Sequence, residues 1–157
     1  MLLSGVVDSA RDLYREALLI ASDAFGYGHT AYLDIVHNVA TLLTDLGEEQ
    51  MALTIYHHDL TMAKRTLGDT HPAIADRLSH IAKAHERMRQ FDEAVQLSER
   101  ALEIRERAFG ANHPQCADTL EQLGRIAKLT GQYEEATALL GRALRIKRHH
   151  LGSRCVL

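Results

Sequence analysis

The sequence predicts an all-α fold, a right-handed solenoid of antiparallel helical hairpins with about seven helices. Three observations carry this. Phe25-Gly26-Tyr27-Gly28-His29, Leu67-Gly68-Asp69-Thr70-His71 and Phe109-Gly110-Ala111-Asn112-His113 recur at intervals of 42 residues, and Leu151-Gly152 opens a fourth copy. Such a fixed period marks a stack of similar supersecondary units. Between the marks, apolar residues fall at the i, i+3, i+4, i+7 spacing of an amphipathic helix. The 157 residues include five Tyr, three Phe, no Trp and only two Pro, so Leu, Ile, Val, Met and Ala must fill most of the interior, a composition that favours helices over sheet.

Counting back by one period sets Gly5 opposite Gly47. Residues 6–25 are therefore expected to form the lone second helix of a truncated repeat, with Met1 in the last turn of a first helix. Repeat 1 spans 30–67. Its first helix carries the stripe Val36, Val39, Ala40, Leu43, the chain breaks near Gly47, and its second helix carries Ala52, Ile55, Tyr56, Leu60. Repeat 2, 72–109, has Leu78, Ile81, Ala82, His85, a break at Arg89-Gln90, then Ala94, Leu97, Ser98, Leu102. Repeat 3, 114–151, has Leu120, Leu123, Gly124, Ala127, a break at Gly131-Gln132, then Ala136, Leu139, Leu140, Leu144, and 152–157 is a tail. Small residues at 40, 82 and 124 and at 52, 94 and 136 let helix axes approach closely.

Gly68 and Gly110 suit the left-handed end of a helix and Pro72 and Pro114 the first turn of the next, with Asp69, Thr70 and Asn112 as capping side chains. His85, on a core stripe, reads as a buried, hydrogen-bonded histidine. A single hairpin cannot bury its stripe, so stability comes from stacking. Nothing in the sequence covers Ala143, Leu144 and Ile146, and both ends are expected to expose apolar surface, Leu13, Leu18 and Val156 included. A fragment of a longer array and an assembly that buries its own ends both fit that feature.

The net charge of −3 gives no reason to expect nucleic acid or an anionic membrane as partner. No stretch is long and apolar enough to span a bilayer, and no basic segment precedes the short apolar start. Cys116 and Cys155 form no C-x-x-C pair, which suits a reducing compartment, and Cys155 stands third rather than fourth from the end, so no prenylation signal is present. A cytoplasmic protein is expected.

The Leu-Gly-x-x-His-Pro boundary, the Gly-Gln-Tyr-Glu-Glu-Ala run at 131–136 and the Arg-Ala-Leu-Arg-Ile run at 142–146 resemble the 42-residue tetratricopeptide repeats (TPR) of kinesin light chains across nearly the whole chain. That resemblance implies a TPR superhelix acting as a protein-binding scaffold. The first helix of each hairpin would line a concave groove for a peptide or partner helix. Carried over by position, the groove residues are His37, Asn38 and Thr41, then His80, Lys83 and Arg87, then Gln122, Arg125 and Lys128. Asp34, Thr44, Asp45, Asp76, Ser79, Glu86, Asp118 and Glu121 project from the same helices. Kinesin light chains commonly carry paired asparagines in Leu-Asn-Asn-Leu-Ala, whose amides grip a peptide backbone. Here the matching pairs are His37-Asn38, Ser79-His80 and Glu121-Gln122, so the framework agrees while the groove chemistry departs. The cations at 83, 87, 125 and 128 imply a partner with acidic side chains, steered by charge and anchored elsewhere. Each of these residues also fits a plain solvated helix face, and Asp34, Asp76 and Asp118 fit the positive end of the helix dipole. Self-association into a homo-oligomer through the exposed ends is the alternative function.

Ten histidines raise a metal hypothesis that geometry removes. Equivalent residues in successive repeats lie roughly 20 Å apart, two helix layers of about 8 to 10 Å, whereas zinc ligands converge within about 2 Å of one ion. His29, His71 and His113 therefore read as packing or capping residues. His57-His58 and His149-His150 are adjacent pairs that point apart on a helix. No phosphate-binding glycine loop, nucleophile elbow or H-E-x-x-H motif is present. The basic run Arg142, Arg145, Lys147, Arg148 and Arg154 suits a helix C-terminus. No catalytic residue, metal or cofactor is expected.

Overall fold

The computed structural model describes residues 2–26 and 29–154. Among them are seven helices and no strand, so the chain is an all-α solenoid of helical hairpins. It forms two compact units, Met1–Asp69 and Thr70–Leu157.

The first unit holds α1 (Leu2–Phe25), α2 (Thr30–Asp45) and α3 (Glu49–Leu67). α2 and α3 form a hairpin and α1 packs on α2. Ala21, Tyr32 and Val36 make a cluster closed by Leu18, Leu33, Ile35 and Ile55. Leu18 is thus part of the core and not an exposed end residue, while Leu13, Leu19 and Ile20 face solvent.

The second unit holds α4 (Pro72–Arg87), α5 (Phe91–Phe109), α6 (Pro114–Leu129) and α7 (Tyr133–Arg154). α4–α5 and α6–α7 are hairpins, joined by packing of α5 on α6. Ala117, Leu120, Ala143 and Ile146 form its cluster, flanked by Leu102 and Leu139. This corrects the expectation of a bare end: Ala143 and Ile146 turn inward to α6, and Leu140, Leu144 and Leu151 carry the exposed apolar surface of α7. Val156 lies outside the described residues.

The hairpin turns share one hydrogen-bond pattern. Gly47 N donates to Thr44 O and Glu48 N to Leu43 O, Arg89 N to Glu86 O and Gln90 N to His85 O, Gly131 N to Lys128 O and Gln132 N to Ala127 O. This paired arrangement satisfies the last carbonyls of α2, α4 and α6, and it requires a left-handed residue. Gly47 and Gly131 supply it at φ 80° and 82°, but repeat 2 uses Arg89 at φ 60°, where a side chain costs roughly 1 kcal/mol. His85 is half-buried rather than buried, its Nδ1 2.7 Å from Gln90 Oε1 across this turn.

Between hairpins the N-caps are His29, His71 and His113, not Asp69, Thr70 or Asn112. Each Nδ1 accepts the backbone N–H two residues on, from Ala31 and Ala73 at 3.2 Å and from Gln115 at 3.3 Å. An accepting Nδ1 is unprotonated, which leaves the ring proton on Nε2. Phe25 and Phe109 stack on His29 and His113 with centroids 5.4 and 4.6 Å apart, so the recurring Phe-Gly-x-x-His spacing sets a ring against its cap. α1 starts at Leu2, before residue 6, and α7 runs on to Arg154, past residue 151. One period after His113-Pro114 stand Cys155-Val156.

Candidate partner-binding face

In the first unit the outward face of α2 presents Asp34, His37, Asn38 and Thr41, all exposed. Thr41 Oγ1 donates to His37 O at 2.8 Å, so its hydroxyl hydrogen is committed and its lone pairs remain. Beneath it Tyr56 is buried; desolvation raises its phenol above the ordinary value, a side-chain hydrogen bond with Thr41 opposing the rise. Thr44, expected on this face, is buried and donates to Ala40 O at 2.7 Å.

In the second unit α4 presents Asp76, Lys83 and Arg87, with His80 half-buried, and α6 presents Asp118, Arg125 and Lys128, with Glu121 half-buried. Two expected members are absent from the surface. Gln122 is 3% exposed and its Nε2 has no hydrogen-bond partner, and Ser79 is likewise buried with an unpartnered hydroxyl. The reason is that α6 packs against both α5 and α7 and is tied to α4, so only a narrow strip faces solvent.

That tie is a two-pronged ion pair: Arg125 Nε and a terminal nitrogen donate to the two carboxylate oxygens of Glu86 at 2.6 and 2.9 Å. The hydrogen bond with Glu86 is the main cause that holds the Arg125 guanidinium above its ordinary value. Of the expected cations Arg125 is therefore already neutralised, while Lys83 and Lys128 make no ion pair among the described residues. They flank the pair on α4 and α6 as two ammonium groups free to take carboxylates.

Sequence reasoning missed a second set of links. Arg105, on α5, is buried and donates to Asp76 Oδ1 on α4 at 2.7 Å and to the Thr119 hydroxyl on α6. Lys147, on α7, reaches Asp118 at 3.3 Å and Glu121 at 2.8 Å on α6, and these carboxylates hold its ammonium above the ordinary lysine value despite some desolvation. Asp76–Arg105 and Asp118–Lys147 stand in identical register, one period apart, so the signal was legible. Ala63 takes the matching place in repeat 1, where Asp34 has no such cation opposite.

Cys116 is buried, with Sγ 3.5 Å from Gly110 O. Burial, ahead of repulsion from Glu106, pushes its thiol above the usual value, the opposite of a nucleophile's needs. Among the described residues no three His, Cys, Asp or Glu side chains are grouped as metal ligands, and no helix is long and apolar enough to cross a membrane.

Helical hairpins of one period, left-handed turns and an open polar strip on the first helices define a helical-repeat protein. The tetratricopeptide repeat model matches residues 32–106 and 77–149, and the chain belongs to the tetratricopeptide repeat family. A comparison with curated proteins finds no match. Among solved structures it is similar to BtubC (BKLC) from P. vanneervenii, with TM-score 0.77 and 26% identity over 94% of this chain. The chain spans 59% of the length of that protein. It is also similar to the nearly identical TPR-like repeats of a Podosopora anserina protein assigned as a kinesin light chain. That structure and a single-substitution variant of it give TM-scores of 0.72 and 0.73 at 24% identity, over 94% of this chain and 70% of theirs. The chain thus shares the fold of these kinesin light chain-like repeats. TPR domains in general bind proteins and are not enzymes.

Proposed function

We propose that this protein is a scaffold whose first-helix face holds a peptide or helix of a partner protein with acidic side chains. The carrying observation is the placement of Lys83 and Lys128 beside the closed Arg125–Glu86 pair. The pair spends one cation on linking α4 to α6 and leaves two ammonium groups for a ligand. The first unit, taken by itself, exposes the Asn38 amide on α2, which offers both a donor and an acceptor to an extended backbone. Arg125 is reassigned from ligand contact to organiser of the strip, and Gln122 is removed from it by burial. The buried, unactivated Cys116 fits a reducing cytoplasm.

The test is affinity capture from lysate followed by mapping of the bound segment. The reading expects an acidic segment that loses affinity to Lys83→Ala and Lys128→Ala proteins with unchanged melting. A captured segment indifferent to both substitutions rejects it.

Self-association is a second reading, favoured by the exposed Leu140, Leu144 and Leu151 on α7. They lie on one side of the helix, at spacings of four and seven residues. Sedimentation across protein concentration decides it: an oligomer that Leu144→Glu dissolves supports it, and a monomer at every concentration removes it.

A further inference from the structure

The first unit carries a cleft between α1 and α3 whose lining includes none of the α2 face residues Asp34, His37, Asn38 and Thr41. Two adjoining hollows of about 430 and 390 Å³ run between α1 and α3 and share Arg15, Leu18, Thr54 and Ile55 as lining. Leu19 and Met51 add apolar surface, and Leu19 is 64% exposed.

The repeat register shows that the fold does not ask for it. One and two periods after Leu19 stand Thr61 and Glu103; after Met51, Glu93 and Glu135; after Arg15, His57 and Glu99. Three periods on, Gly141 and Arg145 take the places of Arg15 and Leu19, so no other repeat sets apolar side chains at the Leu19 and Met51 positions or an arginine at the Arg15 position. Leu18, Leu60 and Leu102, by contrast, keep one identity because they serve the core.

Charge selects the occupant. Arg11 and Arg15 stand at the cleft, Arg11 sharing Asp8 at 3.5 Å and Glu48 at 3.6 Å, Arg15 making no ion pair among the described residues. A second copy would bring the exposed leucines of α7, but these are accompanied by Arg145 and Arg148, like in sign to Arg15. Like charges brought together in a partly dry contact oppose binding.

We propose that the α1–α3 cleft is a second docking site, separate from the first-helix face, for an amphipathic segment of a partner protein with apolar side chains flanked by carboxylates. The apolar side chains fill the hollows over Leu18, Leu19, Met51 and Ile55, and a carboxylate meets Arg15.

The test uses the full chain and two fluorescein-labelled helical peptides, each with leucines along one face, one flanked by glutamates and the other by lysines. Fluorescence anisotropy is expected to show the glutamate peptide binding at least about tenfold more tightly. Leu19→Glu with Met51→Glu, residues the repeat already tolerates at 103 and 135, removes at least about tenfold of that affinity. Arg15→Glu, an exposed change, reverses the preference between the two peptides, and Lys83→Ala with Lys128→Ala leaves it intact. Circular dichroism melting verifies that each variant is folded. Failure of the glutamate peptide to bind, equal binding of both peptides, or indifference to the Arg15 and Leu19/Met51 changes overturns the proposal, as does a wild-type dimer that Leu19→Glu/Met51→Glu converts to monomer. Sensitivity to Lys83 and Lys128 alone assigns the peptide to the first-helix face and rejects the cleft.

Discussion

Arg105 is the residue whose removal tests the architecture of the second unit most sharply. Its side chain is 9% exposed and spans three helices, donating to Asp76 on α4 and to Thr119 on α6 from its own place on α5. Asp76 is 53% exposed, so solvent screening reduces that ion pair to about 1 kcal/mol. The bond to the buried Thr119 hydroxyl is charge-assisted and contributes roughly 1.5 kcal/mol. Loss of the buried methylene stem adds about 1 kcal/mol. Arg105→Ala is therefore expected to cost about 3.5 kcal/mol in urea unfolding of the whole chain. Asp76→Ala alone is expected to cost about 2 kcal/mol, because it leaves a buried guanidinium, whose Nε already lacks a partner, without its counterion. The double substitution should cost little more than Arg105→Ala alone, a coupling of at least about 1 kcal/mol. A cost below about 1 kcal/mol for Arg105→Ala, or strictly additive effects of the pair, would refute the pinning role.

Further outcomes follow from single contacts. His113→Ala should lower stability by about 1 kcal/mol through loss of the cap to Gln115 N, whereas His113→Asn retains a capping oxygen and should restore most of it. Arg89→Gly should stabilise by roughly 1 kcal/mol, since it relieves the left-handed strain that Gly47 and Gly131 avoid; a destabilised variant counts against that reading of the turn. A Cβ at Gly124 would lie 2.7 Å from Leu140 Cγ. Gly124→Ala should thus cost about 1 to 2 kcal/mol by overpacking, and Leu140→Ser should rescue it, reproducing the Ala82–Ser98 pair of repeat 2. In a Cys155→Ser background, Cys116 should react with iodoacetamide at least about a hundredfold more slowly when folded than in urea. Because folding raises the Cys116 thiol above its ordinary 9.0, its contribution is present below about pH 9 and is lost as pH rises through the folded value, which alkaline unfolding reads.

The repeat was legible because its punctuation is chemical. A residue that must turn left-handed, a ring that caps and a proline that opens a helix recur at one interval, and the stripes between them could only be helices. The histidines at 29, 71 and 113 were readable as boundary residues, while their capping role over Asp69, Thr70 and Asn112 rests on ring geometry that the string does not carry. The candidate face was half legible. Lys83 and Lys128 emerged where the helical period put them, but Gln122 and Ser79 occupy equally outward positions on a wheel and are buried because α4, α5, α6 and α7 pack close together. Arg125 holds an outward position like that of a ligand contact, but Glu86, 39 positions earlier in sequence, lies against it. The apolar outliers Leu19 and Met51 were present in the register but have meaning only once α1 and α3 are seen to enclose a cleft.

Calorimetric titration of the captured acidic segment into wild-type protein and into Lys83→Glu/Lys128→Glu, at low and moderate salt, tests the central claim most directly. A loss of at least about tenfold in affinity, larger at low salt and with the melting temperature unchanged, is the expected result. Equal affinity for both proteins at either salt concentration contradicts the assignment of the first-helix face as the site that holds the partner.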